Sequence, residues 1–168
     1  MSAKRNIISF EIHGEAFLHS TWEYVELRVS GQSFMIHQIR KMVGLVIARA
    51  GGHCDEDHWE RAFNNVFEDI PKVPGNGLVL RQVHYDTYNA DYGELHGKLD
   101  WETSQDFMDK FARNNILPEI FKLDMGKKSL SIFSKKNILF RIFDQNQNVV
   151  RNTTFSKHII LFEFYRRR

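Results

Sequence analysis

Apolar positions between Met35 and Ala50 recur with a helical period. On either side of that stretch they alternate with polar ones. At about 100° per residue, Met35, Ile36, Ile39, Met42, Val43, Val46, Ile47 and Ala50 share one broad arc. Gln38, Lys41 and Arg49 fall opposite. The pattern predicts a helix over 33–50, stopped by Gly51–Gly52. Arg40 lies at the border of the apolar arc beside Ile36 and Ile47, with His37 and Gly44 next to it. A guanidinium cannot shed its proton to escape burial, so it seeks a carboxylate or phosphate. The helix offers neither. Arg40 therefore either snorkels to water or reaches an acidic group on another element.

Strands flank this helix. Ile7–His13 alternates, with Phe10 and Ile12 on one face, and His13-Gly14-Glu15 punctuates it. In Trp22–Ser30, Tyr24, Glu26, Arg28 and Ser30 alternate with Val25, Leu27 and Val29. The two are expected to pair antiparallel and to receive the Ile36–Val43 helix face. Asp55 is placed to cap a second helix over 55–65, where Trp59, Ala62, Phe63 and Val66 form an apolar stripe. Ile70–Pro74 leads through the Gly75-Asn76-Gly77 turn into a strand over Leu78–Tyr85. Asn89–Lys98 is expected to be a loop and Asp100–Asn114 a helix, with Pro118 restarting the chain for a short helix toward Leu123. The fold class that follows is α+β, an antiparallel sheet backed by helices.

Composition narrows the function classes. Hydrophobic residues make up 42% of the chain, which argues for a folded body. A single cysteine, Cys54, excludes an internal disulfide. No apolar run reaches the length of a membrane span, so no membrane partner is expected. The net charge of +2 hides a division: residues 1–126 balance at −6 and residues 127–168 at +8. Charge points to nucleic acid only in the tail. That tail holds no Gly or Pro, yet carries strand-like runs at Ile138–Phe143 and Ile159–Tyr165. It reads as a basic, aromatic RNA-binding extension or as a poorly ordered segment, and the second is the expectation. His53, Cys54 and His58 lack a fourth ligand at a recognised spacing, so no metal is expected there.

The residues SFMIHQIRKMVG, Ser33–Gly44, closely resemble the helix motif of the TruA-type tRNA pseudouridine synthases, eukaryotic pseudouridylate-synthase-one branch. The strand ISFEI and the entry residues Leu27–Phe34 fit the same family. So does the later PKVPGNGLVLRQVHYDTYN, and the resemblance runs from about Ser2 to Gly93. It implies two regions: 1–126 as the C-terminal part of the synthase domain, and 127–168 as the tail. It also implies roles by position. Arg40 would pair with the catalytic aspartate. Phe34, His37, Gly77, Leu78 and Leu80 would shape the uridine pocket, with Val79 at a variable place, and Lys41 would meet RNA.

The family's aspartate sits in an Arg-Thr-Asp motif in the preceding half, and no such motif occurs in this sequence. The family's uridine-stacking tyrosine belongs to the same upstream half. The chain is thus expected to be a C-terminal half, inactive alone and partnered by the N-terminal half of the fold. The resemblance implies isomerisation of uridine to pseudouridine in tRNA, with other RNA as a further substrate. It implies no metal or organic cofactor, and placement in the nucleus, with the mitochondrion as the alternative. Two other readings stay open: a non-catalytic RNA-binding or interaction module, and a helix-on-sheet structural domain without an RNA role.

Overall fold

The computed structural model describes residues 4–20, 22–50, 53–64, 68–127 and 157–167, with side chains described for 4–20, 23–50, 53–64 and 68–124. The expected helix stop at Gly51–Gly52, the Val66 position and the Ile138–Phe143 run lie outside the described residues. Strands β1 (Ile7–His19) and β2 (Trp22–Gly31) lead into helix α1 (Gln38–Ala50) and helix α2 (Glu56–Phe63). Strand β3 (Leu78–His84) and helices α3 (Asp86–His96), α4 (Gln105–Phe111) and α5 (Leu117–Lys127) follow, then strand β4 (Lys157–Arg167).

The sheet order is β1-β2-β4-β3. β1 and β2 pair antiparallel as their alternation predicts, with Phe10 opposite Val29 and Ile12 opposite Leu27. β4 lies parallel to both β2 and β3. The α+β class and the helix-backed sheet are as expected, and β4 makes the described sheet mixed. The Ile159–Tyr165 run falls within β4.

Alternation along β2 sets up two cores. Leu27 and Val29 face α1, where they bury Ile39, Val43 and Ile47 together with Val73. Tyr24 points to the other face and packs against Ile120 and Phe121 of α5. β3 repeats the division, with Leu78 against the α1 core and Val79 against the α5 core. The Tyr24 side chain is fully buried. Burial first, and the Asp124 carboxylate second, push its hydroxyl pKa up to about 12.

Several expected boundaries shift for identifiable reasons. Gly14 does not end the first strand. It takes φ +67° where the β1–β2 register slips between His13 and Phe17, so it forms an irregularity through which the strand runs on to His19. Asn89–Lys98 is largely helix rather than loop. The Asn89 side chain accepts from Leu99 N at 2.8 Å and donates to Leu99 O at 2.9 Å, tying α3 to the chain that follows. Gly93 is buried where a Cβ would come within 3.1 Å of Lys98. Pro118 does not restart the chain, because one wide turn over Ala112–Ile116 joins α4 to α5.

Helix α1 itself starts later than the spacing predicts, at Gln38. Met35 and Ile36, read as part of its apolar arc, lie in the preceding turn and are exposed, Ile36 by 86%. The face that remains, Ile39, Val43 and Ile47, is the one that packs.

Gly44, in the middle of α1, makes the closest backbone approach among the described glycines. A Cβ there would overlap the Pro71 carbonyl oxygen. Alanine at an interior helical glycine ordinarily stabilises by about 1 kcal/mol. Overpacking of a close contact costs about 1–3 kcal/mol. Gly44→Ala is expected to lose about 2 kcal/mol of unfolding free energy, the upper end of the overpacking cost less the propensity gain. Urea denaturation measures it, and an unchanged or raised midpoint would show that the Pro71 segment does not press on the helix.

Candidate functional site at the start of the central helix

Gly31 ends β2 where a Cβ would meet the Asn6 carbonyl oxygen at 2.9 Å and the Phe34 ring at 3.0 Å. The bare glycine lets Phe34 fold back against the strand and join the edge of the α1 core. Three residues later His37 adopts φ +62°. Non-glycine residues in the left-handed region are uncommon, and such strain gathers at functional sites. The turn is held from within. Gln38 N donates to Met35 O at 3.0 Å, Met35 N donates to Gln38 Oε1 at 2.8 Å, and Lys41 N donates to His37 O at 3.0 Å.

This turn and the first turn of α1 wall a cleft of about 290 Å³, lined by Phe34, His37, Gln38, Ile39, Arg40 and Leu78 among others. Arg40 is half-buried in its wall. Among the described residues it reaches no acidic group; it opens on the cleft while one edge is anchored by backbone. Its Nε donates to Val73 O at 2.6 Å, and the Val73 N–H donates back to Arg40 O at 3.3 Å. Its Nη1 approaches His37 Nδ1 at 3.5 Å. Gly75 lies beside the guanidinium, where a Cβ would stand 3.7 Å from it. No carboxylate among the described residues pairs with Arg40. A backbone carbonyl orients the group without neutralising it, so its full positive charge is presented to the cleft.

The structure brings together four of the seven residues the resemblance singles out. Phe34, His37, Arg40 and Leu78 line the cleft. Gly77 is buried in the turn before β3, Leu80 stands 50% exposed farther along that strand, and Lys41 is half-exposed on α1; none of these three lines it. Sequence reasoning missed Val73 and Pro71, the backbone groups that fix Arg40 and cross Gly44. The signal available was Gly44 itself, one turn beyond Arg40, since an interior helical glycine often marks close backbone approach.

The His53, Cys54, His58 group resolves into a helix start. Asp55 caps α2 by accepting from His58 N at 2.8 Å, and His58 Nδ1 lies 2.7 Å from the same carboxylate. These bonds, the backbone one foremost, hold the Asp55 pKa below its ordinary value. Cys54 is buried, and burial pushes its thiol pKa up, away from reactive thiolate. Among the described residues no three His, Cys, Asp or Glu side chains are grouped to hold a metal.

The strained backbone at His37 has a measurable consequence. Valine there has a β-branched side chain in the left-handed region, which costs about 1–2 kcal/mol, whereas asparagine is among the residues that tolerate it. His37→Val is expected to lower stability by about that amount, and His37→Asn to leave it nearly unchanged. Equal midpoints for the two variants in urea would mean that the turn relaxes.

The family described as tRNA pseudouridine synthase matches residues 2–86, which include every cleft residue. The human protein called Pseudouridylate synthase 1 homolog is 41% identical over 119 residues, covering 70% of this chain and 28% of that protein. Its mouse counterpart is 39% identical over 132 residues, 77% of this chain and 31% of the relative. The tRNA pseudouridine synthase 1 of Eremothecium gossypii is 31% identical over 112 residues, 66% and 21% of the two chains. The chain thus spans less than a third of the length of these relatives.

Proposed function

We propose, from the premise that the chain belongs to the TruA-type tRNA pseudouridine synthase family, that it supplies the arginine-bearing side of an active site converting uridine to pseudouridine in tRNA. The observation that carries this reading is Arg40: half-buried, fixed through Nε to the Val73 carbonyl, lining the cleft, and without a carboxylate partner among the described residues. A guanidinium already gripped on one edge offers its remaining N–H groups as a fork for a carboxylate.

The carboxylate is the aspartate of the family's Arg-Thr-Asp motif. This sequence contains no such motif, so in this reading an N-terminal part of the synthase fold brings it. Arg40 then keeps the aspartate ionised, since a neighbouring positive charge favours the charged form. The uridine leaves its stack and enters the cleft against Phe34 and Leu78. The aspartate attacks the sugar carbon and displaces the base as the glycosidic carbon–nitrogen bond breaks; the freed base turns, its carbon 5 displaces the aspartate, and carbon 5 then loses its proton. His37, held at a strained turn beside Arg40, shapes the entrance.

RNA is the partner, with tRNA foremost and other RNA a further candidate. The nucleus is the proposed compartment and the mitochondrion the alternative. The absence of Arg-Thr-Asp from this sequence also favours a second reading, a non-catalytic RNA-binding or interaction module. General binding cannot replace the nucleophile in covalent catalysis. The chain by itself is therefore expected to release no tritium from carbon-5-labelled uridine in tRNA, and joined to a family N-terminal half it is expected to do so. In the joined protein, Arg40→Lys is expected to lower turnover by about 100-fold, the scale on which a slightly misplaced catalytic group is felt. Lys41→Ala should change turnover by no more than about two-fold and act through RNA affinity and its salt dependence. Activity from the chain alone, or equal losses at Arg40 and Lys41, would sink this assignment. A joined protein that binds tRNA and stays inactive would favour the binding module.

A further inference from the structure

The family match ends at residue 86 and so contains β1, β2 and β3 but not β4. Yet β2 and β3 do not pair with each other. They run parallel, one strand apart, and β4 fills the space between them. Helix α1 spans that space, because its Ile39, Val43 and Ile47 pack with Leu27 and Val29 of β2 on one side and with Leu78 of β3, and Val73 of the segment leading to it, on the other. The two family-matched strands thus stand about 9.6 Å apart, twice the ordinary strand spacing. Their facing backbone N–H and C=O groups need a third strand, since buried backbone polar groups are almost always paired. In this chain the third strand comes from Lys157–Arg167, whose Phe162 is in register with both Leu27 and Leu78, and Phe164 with Val29 and Leu80.

In the relatives the matched region is less than a third of the protein, so other residues are there to supply the strand. We propose that the space between β2 and β3 is a strand-accepting site for an extended segment from the remainder of the synthase fold, and that β4 occupies it as an internal competitor. The identity of the incoming strand rests on the synthase reading; the existence of the slot does not. β4 is suited to exchange because it lies outside the family match and enters a slot whose two walls α1 also bridges. Assembly of the complete active site then requires β4 to leave, which would keep the β2 and β3 edges from pairing with other chains until the right one arrives.

Hydrogen exchange on the full chain tests this, with and without the N-terminal half of the human relative. In the chain alone, amides of β4 and the facing amides of β2 and β3 are expected to be protected. When the complex forms, β2 and β3 should stay protected while β4 loses protection. Phe162→Pro removes a ladder donor from a central strand, a place proline does not tolerate. It should bind the N-terminal half about ten-fold tighter, because a competing closed state lowers apparent affinity by the fraction of open slots. Protection of α1 amides in the variant reports that the body stays folded. If that protection is lost, the exchange pattern of the unaltered chain decides. β4 amides that remain protected in the complex, equal affinity of the two chains with α1 intact, or no complex with either chain would overturn the proposal. A complex with β4 released but no pseudouridine formed would overturn the synthase reading and leave the strand exchange standing. An active complex that retains β4 would do the reverse.

Discussion

The cleft depends on how closely the segment from Pro71 to Gly77 can lie against the first turns of α1. Two contacts one helical turn apart set that distance. At Gly44 the Pro71 carbonyl occupies the space a side chain would need, and at Arg40 a reciprocal pair of hydrogen bonds joins side chain and backbone to Val73. Neither works without the other. Without the bare glycine the segment would stand off the helix and Val73 O would move beyond hydrogen-bond reach of Arg40 Nε. Without the bonds to Arg40, little polar attraction would hold an extended, non-sheet segment against an apolar helix. Val73, 1% exposed, adds its side chain to the α1 core and makes the contact apolar as well as polar.

This arrangement explains how a half-buried guanidinium is tolerated before any carboxylate reaches it. A buried charge is costly when its N–H groups are unpaired. Here the cost is met partly by a neutral acceptor and partly by the open cleft. A carboxylate in the same place would have satisfied Arg40 more fully and occupied the fork that the proposed aspartate requires. The choice of a carbonyl is thus consistent with a group held in readiness, and it fixes the geometry from which a planar, two-point grip on a carboxylate is made.

Much of this fold was legible in the chain. Alternation in Trp22–Ser30 gave both its strand and its two faces, because strand side chains divide strictly between faces and Tyr24 falls on the opposite one from Leu27 and Val29. The apolar stripe of α1 was legible at Ile39, Val43 and Ile47, but not at its start. Periodicity cannot distinguish a helix from a turn in which two exposed apolar residues, Met35 and Ile36, happen to keep the phase. Motif resemblance singled out seven residues, of which the cleft gathers Phe34, His37, Arg40 and Leu78 and leaves Gly77, Leu80 and Lys41 outside. It could not foresee Val73 O, because a backbone acceptor carries no residue identity. Nor could it foresee that β3 stands one strand away from β2, since pairing between distant segments leaves no local pattern.

The sheet order in turn constrains how an active site could be completed. Leu78, on the slot-side strand β3, and Phe34, three residues past the end of β2, both reach the cleft. The two strands are joined across the slot through α1 on one face, through α5 on the other, and through the strand that lies between them. A change of occupant in the slot would therefore act on the cleft through the separation of Phe34 from Leu78, while Arg40, tied to Val73 on the far side of α1's first turn, would keep its place. Charge and pocket walls are in this sense positioned by different parts of the fold. The arginine is set by local contacts within one segment pair, and the pocket width by the sheet. A cleft built this way can hold its electrostatic component ready while its shape waits for assembly.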